Sequence, residues 1–242
     1  MEWLGLLPSK KFASLPLLDK AVTNCKECPR LVEWTREVAK TKRKSYENEK
    51  YWGKPVPGFG PVNAKVVVIG LAPGAHGANR TGRIFTGDRS GDWLYKSLHK
   101  NGLAKLPTST KINDGQKLIN TRITCAVHCA PPDNKPSNEE KAECAGYLNE
   151  ELRLLMPSTR AYLVLGNLAW NSLFTSLADL GESIPRPRPK FAHGAKVKIK
   201  CSDGTIRLIV GSYHPSQQNT FTGKLTEAML NSVVKRSEEH TS

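Results

Sequence analysis

The sequence has no uninterrupted apolar run of about 20 residues, the length that crosses a bilayer as a helix, so a helical membrane protein is excluded. Cysteine is scarce. Six in 242 residues are too thinly spread for the disulfide framework of a small secreted domain. The opening Met1-Glu2-Trp3-Leu4-Gly5-Leu6-Leu7-Pro8 lacks the basic start and long apolar stretch of a secretory signal. The expectation is a cytoplasmic protein of prokaryotic type, in whose reducing surroundings clustered cysteines bind metal or do redox chemistry. Acid is in short supply too: 22 Asp and Glu face 36 Lys and Arg, for a net charge of +14 and a pI near 9.6. That surplus suits a polyanionic partner, and nucleic acid is the expected one.

What is present suffices for one core. Hydrophobic residues make up 38% of the chain, and the length fits a single domain spanning residues 1–235; a monomer is expected. No internal repeat is visible. Residues 16–44 carry Leu17, Leu18, Val22, Leu31, Val32, Trp34 and Val38, which predicts two short helices joined at Cys25-Lys26-Glu27-Cys28-Pro29, because Pro29 disfavours helix at the residue before it. Lys40 to Lys50 is highly charged, and the Pro- and Gly-rich stretch from Gly53 to Pro61 suits a surface connection. Val66-Val67-Val68-Ile69, ending at Gly70, reads as a strand buried on both faces.

A helix is expected over Asp92–Leu103 and a second strand over Ile119–Val127. Ser137-Asn138-Glu139-Glu140 fits a capping box that opens a helix carrying Cys144, Tyr147, Leu148 and Leu152. Ala161–Leu165 is the third strand, Leu168–Leu180 a helix, and Ile184–Lys190 a basic extended loop. Lys196–Lys200 and Thr205–Val210 resemble strands joined at Ser202-Asp203-Gly204. Strands alternating with helices predict an α/β protein, a three-layer α/β/α sandwich on a mostly parallel sheet of about four strands. Arg236 to Ser242 reads as a polar tail; it matches one reading frame of a common sequencing adaptor, and a non-native origin stands beside an ordinary disordered terminus.

Two loops stand where such folds hold ligands, at the carboxyl ends of strands. The first leaves Gly70-Leu71-Ala72-Pro73-Gly74 and continues through His76, Asn79, Phe85 and Asp88. Its glycines allow backbone N–H groups to approach a ligand, but its spacing is neither the dinucleotide fingerprint nor a phosphate loop. The second, Gly211 to Asn219, presents His214 beside the rigid Pro215. A C-x2-C pair at Cys25 and Cys28 with two further cysteines could supply four thiolates to a [4Fe-4S] cluster or to tetrahedral zinc, and spacing alone leaves both open.

Gly70 to Gly74, the block Asn79 to Asp88, Cys129-Ala130-Pro131-Pro132 and His214-Pro215-Ser216, in this order, resemble the iron-sulfur members of the uracil-DNA glycosylase superfamily. The long His76 to Asp88 block and Leu71, where type 4 has Glu, are similar to its type-5 branch. The resemblance implies that fold, cleavage of uracil from double-stranded DNA, and a [4Fe-4S] cluster on Cys25, Cys28, Cys129 and Cys144. It implies that Phe85 stacks on the flipped base, that Gly70, Leu71, Ala72, Pro73 and Gly74 contact its edge with His76 and Asn134 close by, and that His214 faces the departing oxygen. Gln217, Gln218, Asn219 and Lys224 would meet the minor groove.

Two departures qualify it. The acidic residue that many members carry in the first motif is absent at Leu71-Ala72, so Asn79 is expected to orient the water, Asp88 to support it, with Asn134 a third candidate. A pyrimidine-reading Asn of relatives is replaced by Cys125, which widens the expected substrates to deaminated bases such as hypoxanthine or xanthine. Cys125 and Cys201 are otherwise expected to pack. The rival reading is a non-enzymatic, metal-stapled nucleic-acid-binding module, which has no use for paired loops at neighbouring strand ends.

Overall fold

A computed structural model describes residues 11–241; the opening Met1–Pro8 and the terminal Ser242 lie outside the described residues. The chain runs through helices α1 (Leu15–Thr23) and α2 (Pro29–Thr41), strand β1 (Val66–Gly70), a one-turn α3 (Ala78–Thr81) and α4 (Arg89–Lys100). It continues with β2 (Thr121–Cys125), α5 (Asn138–Leu155), β3 (Ala161–Leu165), α6 (Asn167–Asp179), β4 (Lys196–Lys200), β5 (Ile206–Ser212), α7 (Gln217–Phe221) and α8 (Glu227–Glu239).

The β-branched run of β1 is buried at every position, as are β2 and β3, because helices cover both faces of the sheet. The strand order is β2-β1-β3-β5-β4. The first four are parallel, with Gly70 level with Cys125 and Val164 with Gly211, and β4 closes the edge as an antiparallel hairpin partner of β5. The sheet therefore has five strands, not about four: the Ser202-Asp203-Gly204 turn brings both C-terminal strands into it. Val66, Val68, Leu163, Leu208 and Val210 form one core with Leu94 and Leu98 of α4 and Val233 and Val234 of α8. Val67, Ile69, Tyr162, Val164 and Ile209 form the other with α1, α5 and α6, including the fully buried Trp170. This is the expected three-layer α/β/α architecture.

Three boundaries shift for local reasons. α4 begins before Asp92 because the Asp88 side chain accepts from Gly91 N at 2.9 Å and caps the helix earlier. β2 starts after Asn120, whose φ of 51° interrupts an extended strand at Ile119. The expected disordered tail is helical over Arg236 to Glu239, since α8 continues through it with Ser237 buried and its hydroxyl donating to Val233 O.

Candidate functional site

Four parallel strands deliver their carboxyl ends to one edge, and the sequence-predicted residues gather there in two walls. In the first, β1 ends at Gly70, where an added Cβ would lie 3.0 Å from the Phe85 ring and 3.3 Å from Cys125 Sγ. The glycine thus lets an aromatic ring and a thiol meet over the strand end. Phe85 holds φ at 52°, a left-handed backbone that a bulky residue adopts only where its surroundings impose it. Gly91 is part of that imposition: its Cβ would sit 2.0 Å from Phe85 O. Ala126 N and Val127 N donate to Gly70 O and Leu71 O, extending the ladder one step past the strands.

Beyond Gly74 the loop turns on backbone bonds to Gly74 O from Gly77 N and Asn79 N. A Cβ on Gly77 would meet Asp88 Oδ2 at 1.9 Å and one on Gly74 at 3.2 Å, so the carboxylate lies directly over the loop backbone. Burial raises the Asp88 pKa above the usual carboxylate value, against the hydrogen bond from Gly91. His76 Nδ1 lies 3.1 Å from Tyr51 Oη, and burial, then the charges of Arg43 and Arg80, lower its pKa. Asn79 is fully buried; its amide donates to Thr35 O of α2 at 3.2 Å, and its Oδ1 has no hydrogen-bond partner. Asn134 is exposed, and both it and Asp133 have left-handed backbones.

The second wall follows β5. The His214 and Phe85 rings are 5.7 Å apart with 32° between their planes. Burial alone lowers the His214 pKa to about 4, so the imidazole is neutral near pH 7. Asn219 donates from Nδ2 to His214 O at 2.9 Å, and Ser216 caps α7. Gln217 and Gln218 begin that helix, exposed, where the sequence suggested a loop. Lys224 Nζ stands 4.9 Å from the centre of the Tyr213 ring.

Sequence reasoning missed Gly166 and did not single out Phe221 within the tract from Gln217 to Lys224 expected to meet the minor groove. Gly166, at the end of β3, has φ of 96° and sits with its would-be Cβ 3.7 Å from His214 Cβ; a glycine between a buried strand and a helix was the available signal. Phe221 is 70% exposed, an aromatic in an otherwise polar tract.

Three of the four predicted thiols pack together, and Cys25 packs against the neighbouring core with α1, α5 and α6. Cys28, Cys129 and Cys144 form one cluster with Leu31 and Val127, against which Ala72 of the Gly70 to Gly74 loop packs. Burial, then the Cys25 thiol, push Cys28 up to about 11, and Cys129 is raised by burial and then by Cys144, Cys25 and Cys28. None is in a disulfide. Among the described residues no three His, Cys, Asp or Glu converge closely enough to grip an ion as they stand, while as a donor set the four thiols suit a thiolate-held centre. Cys125 and Cys201 are buried apart from this group, in the two main cores.

A cavity of about 560 Å3 is lined by Phe59, Arg83, Ile112, Gln116 and Lys117 among others. Open α/β sheets bind ligands at the carboxyl ends of their strands, where Gly70, Phe85 and His214 stand. Among the described residues no helix is long and apolar enough to cross a membrane.

A mostly parallel sheet that brings Phe85, His214 and Asp88 to its carboxyl edge, on a strongly basic chain, has the architecture of an α/β enzyme. Residues 57–236 match the model of the Uracil DNA glycosylase superfamily. The chain is 46% identical over 222 residues to the type-5 uracil-DNA glycosylase of Mycobacterium leprae, covering 92% of this chain and 93% of that one. It is 45% identical over 215 residues to the type-5 enzyme of Thermus thermophilus, covering 89% and 93%. Against the type-4 uracil-DNA glycosylase of Pyrobaculum aerophilum identity is 27% over 208 residues, covering 84% and 83%. The chain belongs to the uracil-DNA glycosylase superfamily, in its type-5 branch.

Proposed function

We propose that the protein is a monomeric DNA glycosylase of base excision repair, which hydrolyses the N-glycosidic bond of uracil in double-stranded DNA, leaves an abasic site, and also accepts other deaminated bases such as hypoxanthine or xanthine. The observation that carries this reading is the meeting of Phe85 and His214 over Gly70 and Cys125. A base flipped from the duplex, at a cost of a few kcal/mol that a mismatch lowers, stacks on Phe85. As the bond to the sugar breaks, negative charge develops on the departing base, and neutral His214 donates a hydrogen bond that strengthens with that charge. Cys125, a small thiol where a paired amide donor and acceptor would discriminate strictly, leaves the pocket tolerant.

Water must add to the sugar carbon. Asp88, set over Gly74 and Gly77, supports the positive charge of the sugar and orients that water together with Asn134. Asn79 keeps an unpaired buried Oδ1 that can share the task, while its amide ties the loop to α2. Cys25, Cys28, Cys129 and Cys144 would hold a [4Fe-4S] cluster that staples the N-terminal helices to the core; zinc is the alternative. Purified protein should contain about four irons with sulfide per chain, and Cys144→Ser should lose them while Cys201→Ser keeps them; zinc without iron overturns the cluster.

The test of the activity is single-turnover release of uracil from a U:G duplex by the wild type and by Asn79→Ala, Asp88→Ala, Asn134→Ala and His214→Ala. His214→Ala should be slower by about 10² to 10³, the usual effect of removing one preorganised donor, while still binding abasic DNA. No release by the wild type would leave the non-enzymatic binding module; full rate in His214→Ala would remove His214 from the mechanism.

A further inference from the structure

The far edge of the sheet plays no part in the site described above. β4 is its last strand, and its side chains alternate: Lys196, Lys198 and Lys200 are exposed, Val197 is partly buried and Ile199 buried. The register with β5 sets Lys196 opposite Val210, Lys198 opposite Leu208 and Lys200 opposite Ile206. The three ammonium groups therefore stand on the face of the sheet that α8 covers elsewhere, at intervals of about 6.6 Å, twice the rise of a strand residue. Among the described residues none of the three pairs with a carboxylate.

The row starts at the rim of the candidate site. Gly194 N donates to Gly211 O at 2.8 Å and Gly211 N to Ala195 O at 2.9 Å, joining the head of β4 to the end of β5. One step further, Tyr213 N donates to His193 Nδ1 at 3.2 Å, the two rings lie 5.2 Å apart, and Lys224 Nζ stands over the same tyrosine. Basic side chains thus lead from Lys224, past Tyr213 and His193, down the edge to Lys200. Arg236 of α8 adds positive charge close enough to His193 to help depress its pKa after burial has done so.

We propose that the Lys196-Lys198-Lys200 row is a second DNA contact, binding backbone phosphates of the duplex flank beyond the flipped base. The inference rests on the glycosylase reading and adds to it the path of the flank. The occupant follows from charge and continuity: phosphate charges recur along each strand of a duplex, a row of lysines can meet several of them in succession, and it begins where the damaged strand must enter. Contacts of this kind carry no sequence information, which suits a protein that must search undamaged DNA.

The experiment compares wild type with K196Q/K198Q/K200Q on a long undamaged duplex, reading log K against log[salt]. Three lost phosphate contacts should flatten the slope by about 2.7, at about 0.9 each, and K196Q/K200Q, which keeps a lysine on the edge against strand-to-strand association, by about 1.8. On a lesion duplex of about one helical turn the variants should match the wild type, and single-turnover excision at saturating enzyme should be unchanged. K65Q/R160Q, at the amino ends of β1 and β3 and off the β4 edge, should keep the wild-type slope. An unchanged slope in both ladder variants overturns the proposal and leaves the lysines as guards of a strand edge. A flattened slope with no uracil release by the wild type would instead overturn the glycosylase reading alone.

Discussion

The two walls of the candidate site are built differently. In the wall from Gly70 to Gly91 the two buried arginines are turned to internal work. Arg83 donates from Nε to Thr86 Oγ1 at 3.0 Å and from NH2 to Ser109 Oγ and Asp114 Oδ2, both at 2.6 Å, with Arg83 and Asp114 largely buried. Arg80 donates to His76 O and Gly87 O, pairs with Glu49 and lies over the Tyr46 ring. In the wall from His214 to Lys224 the side chains mostly face solvent, and few bonds tie it down beyond the Ser216 cap, Asn219 to His214 O and the Leu225 N bond to Asn219 O. On the proposed function the contrast divides the labour: the densely bonded wall would fix the strained Phe85 and the carboxylate, and the lightly tied wall would meet the DNA helix, whose own shape varies.

The sharpest way to break that comparison is Arg83→Ala. Removing one member of a buried ion pair and its hydroxyl partners should cost about 3–5 kcal/mol, read as a fall in denaturant midpoint, with uracil release falling in parallel because Phe85 is released. Burial raises the Asp114 pKa, but the bonds from Arg83 and from the backbone of Gln116, Thr110 and Lys111 outweigh it and lower it to about 2. A carboxylate so depressed stabilises the fold above its unfolded value near 3.8, and that stability is lost as pH falls toward 2. The gap between wild type and variant should therefore hold at neutral pH and narrow between about pH 4 and pH 2. A loss below about 1 kcal/mol at pH 7 would mean the wall is held by backbone alone.

His214 gives the next largest effect. Its pKa of about 4 means that the neutral, donating form persists as pH falls through the range where an ordinary imidazole, near 6.5, would protonate. Any loss of single-turnover rate traceable to His214 should set in near pH 4, and should be missing from the residual rate of His214→Ala. A wild-type midpoint near 6.5 that disappears in the variant would show a solvated ring and an open second wall from the start.

These differences also explain what was legible. The strands declared themselves because β-branched runs flanked by glycine have little alternative, and the Ser137 capping box appears in the structure with both of its bonds. Cys25 and Cys28 are placed as expected, at the end of α1 and the start of α2, because Pro29 fixes the break. Less legible was any role that depends on which way a side chain turns. Asn79 reads as a polar residue in a ligand loop, yet its amide is spent on Thr35 O; nothing in the sequence around Asn79 announces α2 as its neighbour. Arg80 and Arg83 are struts that the sequence does not announce, because their carboxylate partners, Glu49 and Asp114, lie 31 residues away in each case. Gly166 escaped notice because its partner, His214, arrives from another strand.

The smallest effects belong to the exposed wall, and there the comparison predicts a separation of functions. Phe221, 70% exposed with the Arg89 guanidinium 5.3 Å from its ring centre, buries little, so Phe221→Ala should change stability by no more than about 0.5 kcal/mol. On the proposed function its exposed ring would wedge into the gap a flipped base leaves, and its loss should weaken binding of lesion duplex by about 1–3 kcal/mol, the usual worth of one base-aromatic stack. Lys224→Ala should do less: one phosphate contact fewer, a salt slope flatter by about 0.9, and no change in the rate once DNA is saturated. Because both residues are argued to act before the bond breaks, their effects should appear in the concentration of DNA needed and not in the single-turnover rate at saturation. If Lys224→Ala lowers that saturated rate as His214→Ala does, the second wall is part of the catalytic machinery, and the division between a wall that reacts and a wall that binds is wrong.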